Sequence, residues 1–272
     1  MMSLTLLGTA GGPGGHRGRS GIASLVEVNG LRVLVDAGVG VVRQLAHVGL
    51  TVGDIDIVVL THLHDDHTAG LPALVTFRHT MRGGPLTLIG PPGTAALRAG
   101  VLAYMSANSA IRGQEGRLVD PETLFEARDV EPGIVHSDAG LTVTAVENSH
   151  YALTQFTSPQ KSYAVRFDTP DRSVVFTGDT GESRAVEELA RDADILVSEM
   201  VTDADIAAVP TPVQAHMRAE HLSPTQVGRL AAAARVGTVV LSHYAGASAE
   251  DLEAIRREFS GEVVAGEDLM RF

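Results

Sequence analysis

Thr61-His62-Leu63-His64-Asp65-Asp66-His67 packs three imidazoles and two carboxylates into one heptapeptide, directly after the run Asp56-Ile57-Val58-Val59-Leu60. The run is short and apolar and reads as a buried strand. Side chains at the end of a buried strand sit on rigid backbone yet open onto a loop, which suits a metal site that must also admit a substrate. Neutral imidazole and carboxylate are the nitrogen and oxygen donors taken by zinc and its divalent neighbours. The heptapeptide therefore reads as the beginning of a metal centre.

Upstream, residues 4–7 read as a strand entering a glycine-rich loop, 8–21, that carries His16, Arg17 and Arg19. Strands 24–28 and 31–35 are joined by Asn29-Gly30, a hairpin signal, and Asp36-Ala37-Gly38 opens a helix near 41–48. Downstream, 69–82 is helical with Pro72 in its first turn; a strand at 86–89 leads to a helix capped by Thr94 and running to about Met105. Between 106 and 140 only the strand 126–130 can be placed. Strands follow at 141–146, 162–167 and 173–177, then a helix at 183–191 and a strand at 195–198. Ser223, Pro224 and Gln226 form a capping box for the helix 224–234, and the chain closes with strand 238–242, helix 249–259 and strand 262–265. No linker is long enough to divide this order, so residues 1–272 are expected to form one α/β (α+β) domain of mixed sheets with helices outside.

Composition narrows the chemistry. Of 272 residues, 44% are hydrophobic and 20% charged, the balance of a soluble globular protein. A net charge of −12 argues against broad binding to nucleic acid. Cysteine is absent, which excludes disulfides, thiol nucleophiles and thiolate-bound zinc and leaves His, Asp and Glu as the metal donors. The N-terminal MMSLTLLGTAGG lacks a basic flank and a long apolar core, so it reads as neither signal peptide nor anchor, and a cytoplasmic location is expected.

A pair of metals needs about six or seven protein ligands and a bridging group. Three residues beyond the heptapeptide follow short apolar strands in the same manner: His150 after 141–146, Asp179 after 173–177, and His243 after 238–242. Gly178 precedes Asp179 and permits a close backbone approach.

With these residues in place the chain resembles the metallo-β-lactamase superfamily from Leu4 to near its C-terminus. His62, His64, Asp66 and His67 match the HxHxDH signature. The resemblance implies a four-layer αββα sandwich with a dinuclear site at one edge of two mixed sheets. It implies one metal on His62, His64 and His150, a second on Asp66, His67 and His243, and Asp179 bridging them. The ions would be zinc, with manganese or iron as alternatives. Gly8-Thr9, Arg19-Ser20, Asp36-Ala37-Gly38, Gly90-Pro91 and His221 before the capped helix are most similar to the branch of ribonuclease Z and the arylsulfatase or phosphodiesterase-like hydrolases. In that branch a histidine placed like His221 works with the signature aspartate, so Asp66 and His221 are the expected catalytic residues. Dimers are common there, so a homodimer is one expected assembly.

One departure bears on substrate. Long bacterial ribonuclease Z inserts a basic tRNA-gripping arm between the positions matched by His150 and Asp179. Here 28 residues separate them, with only Lys161, Arg166 and Arg172 basic. The expectation is therefore a hydrolase using a dinuclear zinc-bound hydroxide on a small ester-type substrate, a phosphodiester or sulfate ester first. Lactone or thioester hydrolysis, and RNA 3′-end processing without the arm, are the alternatives. A non-catalytic scaffold is disfavoured because the ligand set is intact. Asp65 is expected to orient a histidine, with a solvent-facing role as the alternative. Tyr151, Phe156 and Tyr244 flank ligands and are candidates for the pocket lining. His16, His47, His79, His136 and His216 are assigned to surface or core, with contact of His16, Arg17 and Arg19 to an anionic substrate as an alternative.

Overall fold

The computed structural model describes residues 1–14, 16–81, 83–116, 120–154 and 160–272; Phe156 lies outside the described residues. Among these, two sheets form. In the six-stranded sheet β1 (Met2–Gly8), β2 (Ala23–Val28) and β3 (Leu31–Val35) are antiparallel neighbours, and β4 (Ile57–Val59), β5 (Leu86–Gly90) and β6 (Phe125–Asp129) continue it in parallel. In the seven-stranded sheet β7 (Gly133–Asp138), β8 (Leu141–Glu147), β9 (Tyr163–Thr169) and β10 (Arg172–Phe176) form an antiparallel meander. β11 (Ile195–Ser198), β12 (Thr238–Leu241) and β13 (Glu262–Ala265) extend it in parallel.

The period of two along each strand divides the apolar residues among three cores. Ile57 and Val59 of β4 join Val174 and Phe176 of β10 between the sheets. Val58 turns the other way, onto Leu45, Leu71, Leu74 and Met105 of the first helical layer. Val239 and Leu241 of β12 pack on Val227, Ala231 and Ile255 of the second helical layer, while Val240 faces the opposite sheet. The order is helices, sheet, sheet, helices, the expected αββα sandwich. No described helix is long and apolar enough to cross a membrane.

Three departures have physical reasons. β7 was not expected, because its alternation is weak for an edge strand that leaves Ile134 exposed. The helix Thr94–Gln114 runs a further two turns past Met105, and Gly93 in the left-handed region, not the Thr94 side chain, starts it. The helices Asp203–Ala208 and Thr211–Glu220 were also not expected, although Thr202 and Asp205 make a capping box that marks the first. That pair of helices forms one wall of the cavity described next.

Candidate metal centre

Chain direction explains why the polar residues meet. His62 follows β4, His150 β8, Asp179 β10, Glu199 β11 and His243 β12, so all emerge near the carboxyl ends of strands at one edge of the sandwich. His62 and His64 are extended and two apart, hence on one side of the chain. His64 then begins the short helix Asp65–Thr68, and that turn swings Asp66 and His67 toward a second point.

Two triads result. His62 Nε2 and His150 Nε2 lie 3.0 and 3.2 Å from His64 Nδ1. Asp66, His67 and His243 form the other triad, with His243 Nε2 3.0 Å from Asp66 Oδ2. Asp179 stands between. Its Oδ2 is 3.9 Å from both His62 Nε2 and His150 Nε2, and its Oδ1 is 3.4 Å from His67 Nε2 and 3.2 Å from His243 Nδ1. Within each triad the donor atoms lie within 4.8 Å of one another. The seven residues expected as ligands are thus brought together.

Three of the five rings are fastened from behind, which fixes the nitrogen each turns to the centre. His67 Nδ1 donates to Asp36 Oδ2 at 2.8 Å, His62 Nδ1 to the Thr61 hydroxyl at 3.1 Å, and His150 Nδ1 to the Glu220 carbonyl at 3.2 Å. Asp36 also accepts from the Thr61 N–H at 2.9 Å. Asp36 and Thr61 do the work expected of Asp65, which is exposed and accepts instead from the Asp66 N–H. At Gly178, φ is +57° and a β-carbon would lie 2.6 Å from the Tyr163 carbonyl oxygen, so only glycine lets Asp179 reach this point. His243 also has a positive φ, 53°, a conformation costing a non-glycine residue about 1–3 kcal/mol unless its surroundings hold it.

Two observations fit this donor set to cations. His67 Nε2, Asp179 Oδ1 and His243 Nδ1 are buried without a hydrogen-bond partner among the described residues, an arrangement that is costly unless something else satisfies them. At the first triad the charge pattern agrees. Burial pushes His62 and His64 below the ordinary histidine range and His150 down to about 4, which keeps their lone pairs free. Burial alone would lower His67, but Asp36 and Asp179 hold it well above that range. Asp179, despite burial, is held well below the usual carboxylate range by His243, His67 and His62.

His221 is the expected extra histidine, and what sequence reading missed is its partner. Glu199 lies at the end of β11 with its oxygens 2.9 and 3.1 Å from His221 Nδ1, and it also accepts from the Thr180 N–H at 2.7 Å. Burial raises the Glu199 carboxyl; against its own burial penalty, the Glu199 carboxylate raises His221 to about 9. Held by Glu199 with its ring 4.9 Å from that of His150, protonated His221 is suited to donate a proton. The post-strand position that singled out the candidate ligands also marks Glu199 and, after β3, Asp36.

A cavity of about 530 Å³ opens over the centre. His64, Asp66, His150, Asp179, His221 and His243 line one side; Met200, Val209, Val213 and Met217 line the other. His216 is there too, not simply on the surface, with Nδ1 2.5 Å from buried Glu220. Arg19 does not face the cavity: it donates to the Thr9 and Ala245 carbonyls and stacks 4.3 Å from the Tyr244 ring. His16 Nε2 bonds the Gly11 carbonyl at 2.8 Å. Tyr244 lines the cavity as expected, whereas Tyr151 packs against the rings of His64 and His150.

A family model described as a beta-lactamase superfamily domain matches residues 31–244. Over 280 residues the chain is 32% identical to ribonuclease Z of Mycobacterium avium (strain 104), spanning 100% of this chain and 98% of that protein. Ribonuclease Z of Mycolicibacterium gilvum (strain PYR-GCK) is 31% identical over 281 residues, 100% and 96% of the two chains. Among solved structures, the metallo-beta-lactamase fold protein YhfI from Bacillus subtilis is similar at a TM-score of 0.75, 22% identity and coverage of 100% and 98%. Human tRNase Z, short form, is similar at 0.73, 22% identity and coverage of 99% and 98%. At those identities the two structures speak for the fold.

Proposed function

Since the chain belongs to the metallo-β-lactamase superfamily of hydrolases, we propose that it is a metal-dependent phosphodiester hydrolase of ribonuclease Z type, acting at RNA 3′ ends without a tRNA-gripping arm. In this reading residues 1–272 act as one domain in the cytoplasm. His62, His64 and His150 would hold one divalent ion, Asp66, His67 and His243 a second, and Asp179 would reach both, with zinc the first choice for an all-nitrogen-and-oxygen donor set. Such ions supply a hydroxide nucleophile near neutral pH and a Lewis acid for phosphoryl oxygens.

The observation that carries the proposal is His221, which lines the cavity beside the two triads and is backed by buried Glu199. An alkoxide is a poor leaving group, and a protonated His221 can hand it a proton as the phosphorus–oxygen bond breaks. Glu199 keeps that proton in place and neutralises the charge behind it. Thr180 and Thr177 fix Glu199, through the Thr180 N–H and through the Glu199 N–H bond to the Thr177 hydroxyl, so the donor does not wander. The relatives support RNA over a small molecule: ribonuclease Z of M. avium matches end to end at 32% identity, so a lack of inserted arm does not set this chain apart from proteins of that name.

A small phosphodiester or sulfate ester remains the second reading, favoured by the apolar wall of Met200, Val209, Val213 and Met217 and by the net charge of −12. Incubating zinc-loaded protein with a pre-tRNA transcript and, separately, with bis(p-nitrophenyl) phosphate, p-nitrocatechol sulfate and a lactone distinguishes them. The proposal expects transcript cleavage at the 3′ trailer. Turnover of the chromogenic phosphodiester with an intact transcript would leave the second reading, and turnover of the lactone alone would remove both.

A further inference from the structure

We propose that Asp268, near the C-terminus, is a positioning residue for the second triad: it pins the glycine-rich loop whose backbone holds Asp66 and His243 in place. One carboxylate clamps both ends of that loop. Asp268 Oδ1 accepts from the Thr9 N–H at 3.0 Å and the Thr9 hydroxyl at 2.8 Å. Its Oδ2 accepts from the Ser20 N–H at 2.6 Å and from Gln44 Nε2 at 2.9 Å. Arg19 reinforces the clamp from inside the loop, donating through Nε to the Thr9 hydroxyl at 3.0 Å and through a terminal nitrogen to the Ala245 carbonyl at 3.1 Å.

Between these anchors the loop presses on the second triad. A β-carbon at Gly11 would come within 2.8 Å of the His243 backbone, so the two main chains are in direct contact. The Gly12 N–H donates to Asp66 Oδ2 at 3.0 Å and lies 3.4 Å from His243 Nε2. The Tyr244 N–H donates to the Thr9 carbonyl at 3.3 Å. His243 sits at φ 53°, a conformation that lasts only where neighbours over-determine it, and Thr9, Gly11 and Arg19 are among those neighbours. The first triad is held by other means, through Thr61 and the Glu220 carbonyl. Asp268 is therefore coupled to one of two ion sites and not to the other.

The carboxylate is separable from the fold. The C-terminal segment is tied to β1 by main-chain bonds between Leu4 and Phe272 and between Leu6 and both Leu269 and Met270, and these do not involve the Asp268 side chain. Asp268 itself is only half-buried.

The test compares wild type with Asp268→Ala and Asp268→Asn, the latter swapping an acceptor oxygen for a donor. Metal-free protein is titrated with Co²⁺, and uptake of each equivalent is followed by absorbance. The first equivalent is expected to bind as in wild type, and the second about 10–100-fold more weakly, the usual effect of removing a group that orients a ligand. In the metal-free proteins, amide hydrogen exchange at Gly12 and Tyr244 should accelerate while β4 and β10 keep their protection. Equal weakening of both ions, unchanged affinity for both, or unchanged exchange at Gly12 and Tyr244 overturns the proposal. The inference rests on the two-ion reading. Wild-type protein that takes up one ion only ends that reading, and the exchange comparison then decides by itself whether Asp268 holds the loop.

Discussion

The strand-end side of the cavity and the helical side facing it are built from different materials. On the strand side the candidate donors His62, His67, His150, Asp179 and His243 are buried, and the first three are backed by a hydroxyl, a carboxylate and a main-chain carbonyl. On the helical side, Asp203–Ala208 and Thr211–Glu220 offer Val209, Val213, Met217 and His216, with Val213 39% exposed. The first side carries donor atoms suited to cations and has little room to vary. The second touches no donor of the second triad among the described contacts and can change with the substrate. The candidate metal donors belong to the strand ends, the apolar cavity lining largely to the helices, and His221, at the C-terminal end of the helix Thr211–Glu220, to the seam between them.

The sharpest way to break that division is Asp179→Ala. Asp179 faces both triads, so metal content measured on the purified variant should fall from two equivalents, and turnover should disappear with it. Retention of both ions would mean that Asp179 holds neither.

The next effect in size separates metal binding at the strand ends from proton donation by His221, at the C-terminal end of the helix Thr211–Glu220. His221→Ala should keep metal content and lose about 10²–10⁴ in kcat, the usual contribution of a general acid. A loss below about tenfold would leave His221 without that role. The pH profile sharpens the point. Because Glu199 raises His221 to about 9, the donor form is present below that pH and disappears as pH rises through it. In Glu199→Gln the alkaline limb of kcat should move down toward the ordinary histidine value of about 6.5. An alkaline limb at the same pH in both proteins would assign it to another group.

The smallest effect tests the helical side. His216→Ala should change KM by a few-fold, about 1 kcal/mol or less for one lost polar contact, with kcat and metal content as in wild type. The measurement is steady-state kinetics on whichever substrate the panel identifies. A collapse of kcat would move His216 into the catalytic machinery and blur the contrast.

Some of this was legible before any fold was known, and the particular elements show why. β4 and β12 were readable because a buried strand needs an apolar run, and the candidate ligands because His62, His150, Asp179 and His243 follow such runs. The capping box at Ser223 and Gln226 was readable because it is a local hydrogen-bond pattern, and it forms as expected. β7 was not, since an edge strand with one exposed face carries weak alternation. Nor were the partners: Asp36 and Glu199 obey the same post-strand rule but lie 31 and 22 residues from the histidines they hold.

The amino-acid sequence by itself determined the donor types and the strand-end positions from which they project, because both follow from local chemistry and from the period of a strand. Only the tertiary structure decided which ring nitrogen each histidine turns inward, which carboxylate raises His221, and that Asp268 closes the loop over His243. Those are distances between residues far apart in the chain, and nothing local encodes a distance until two sheets have packed face to face.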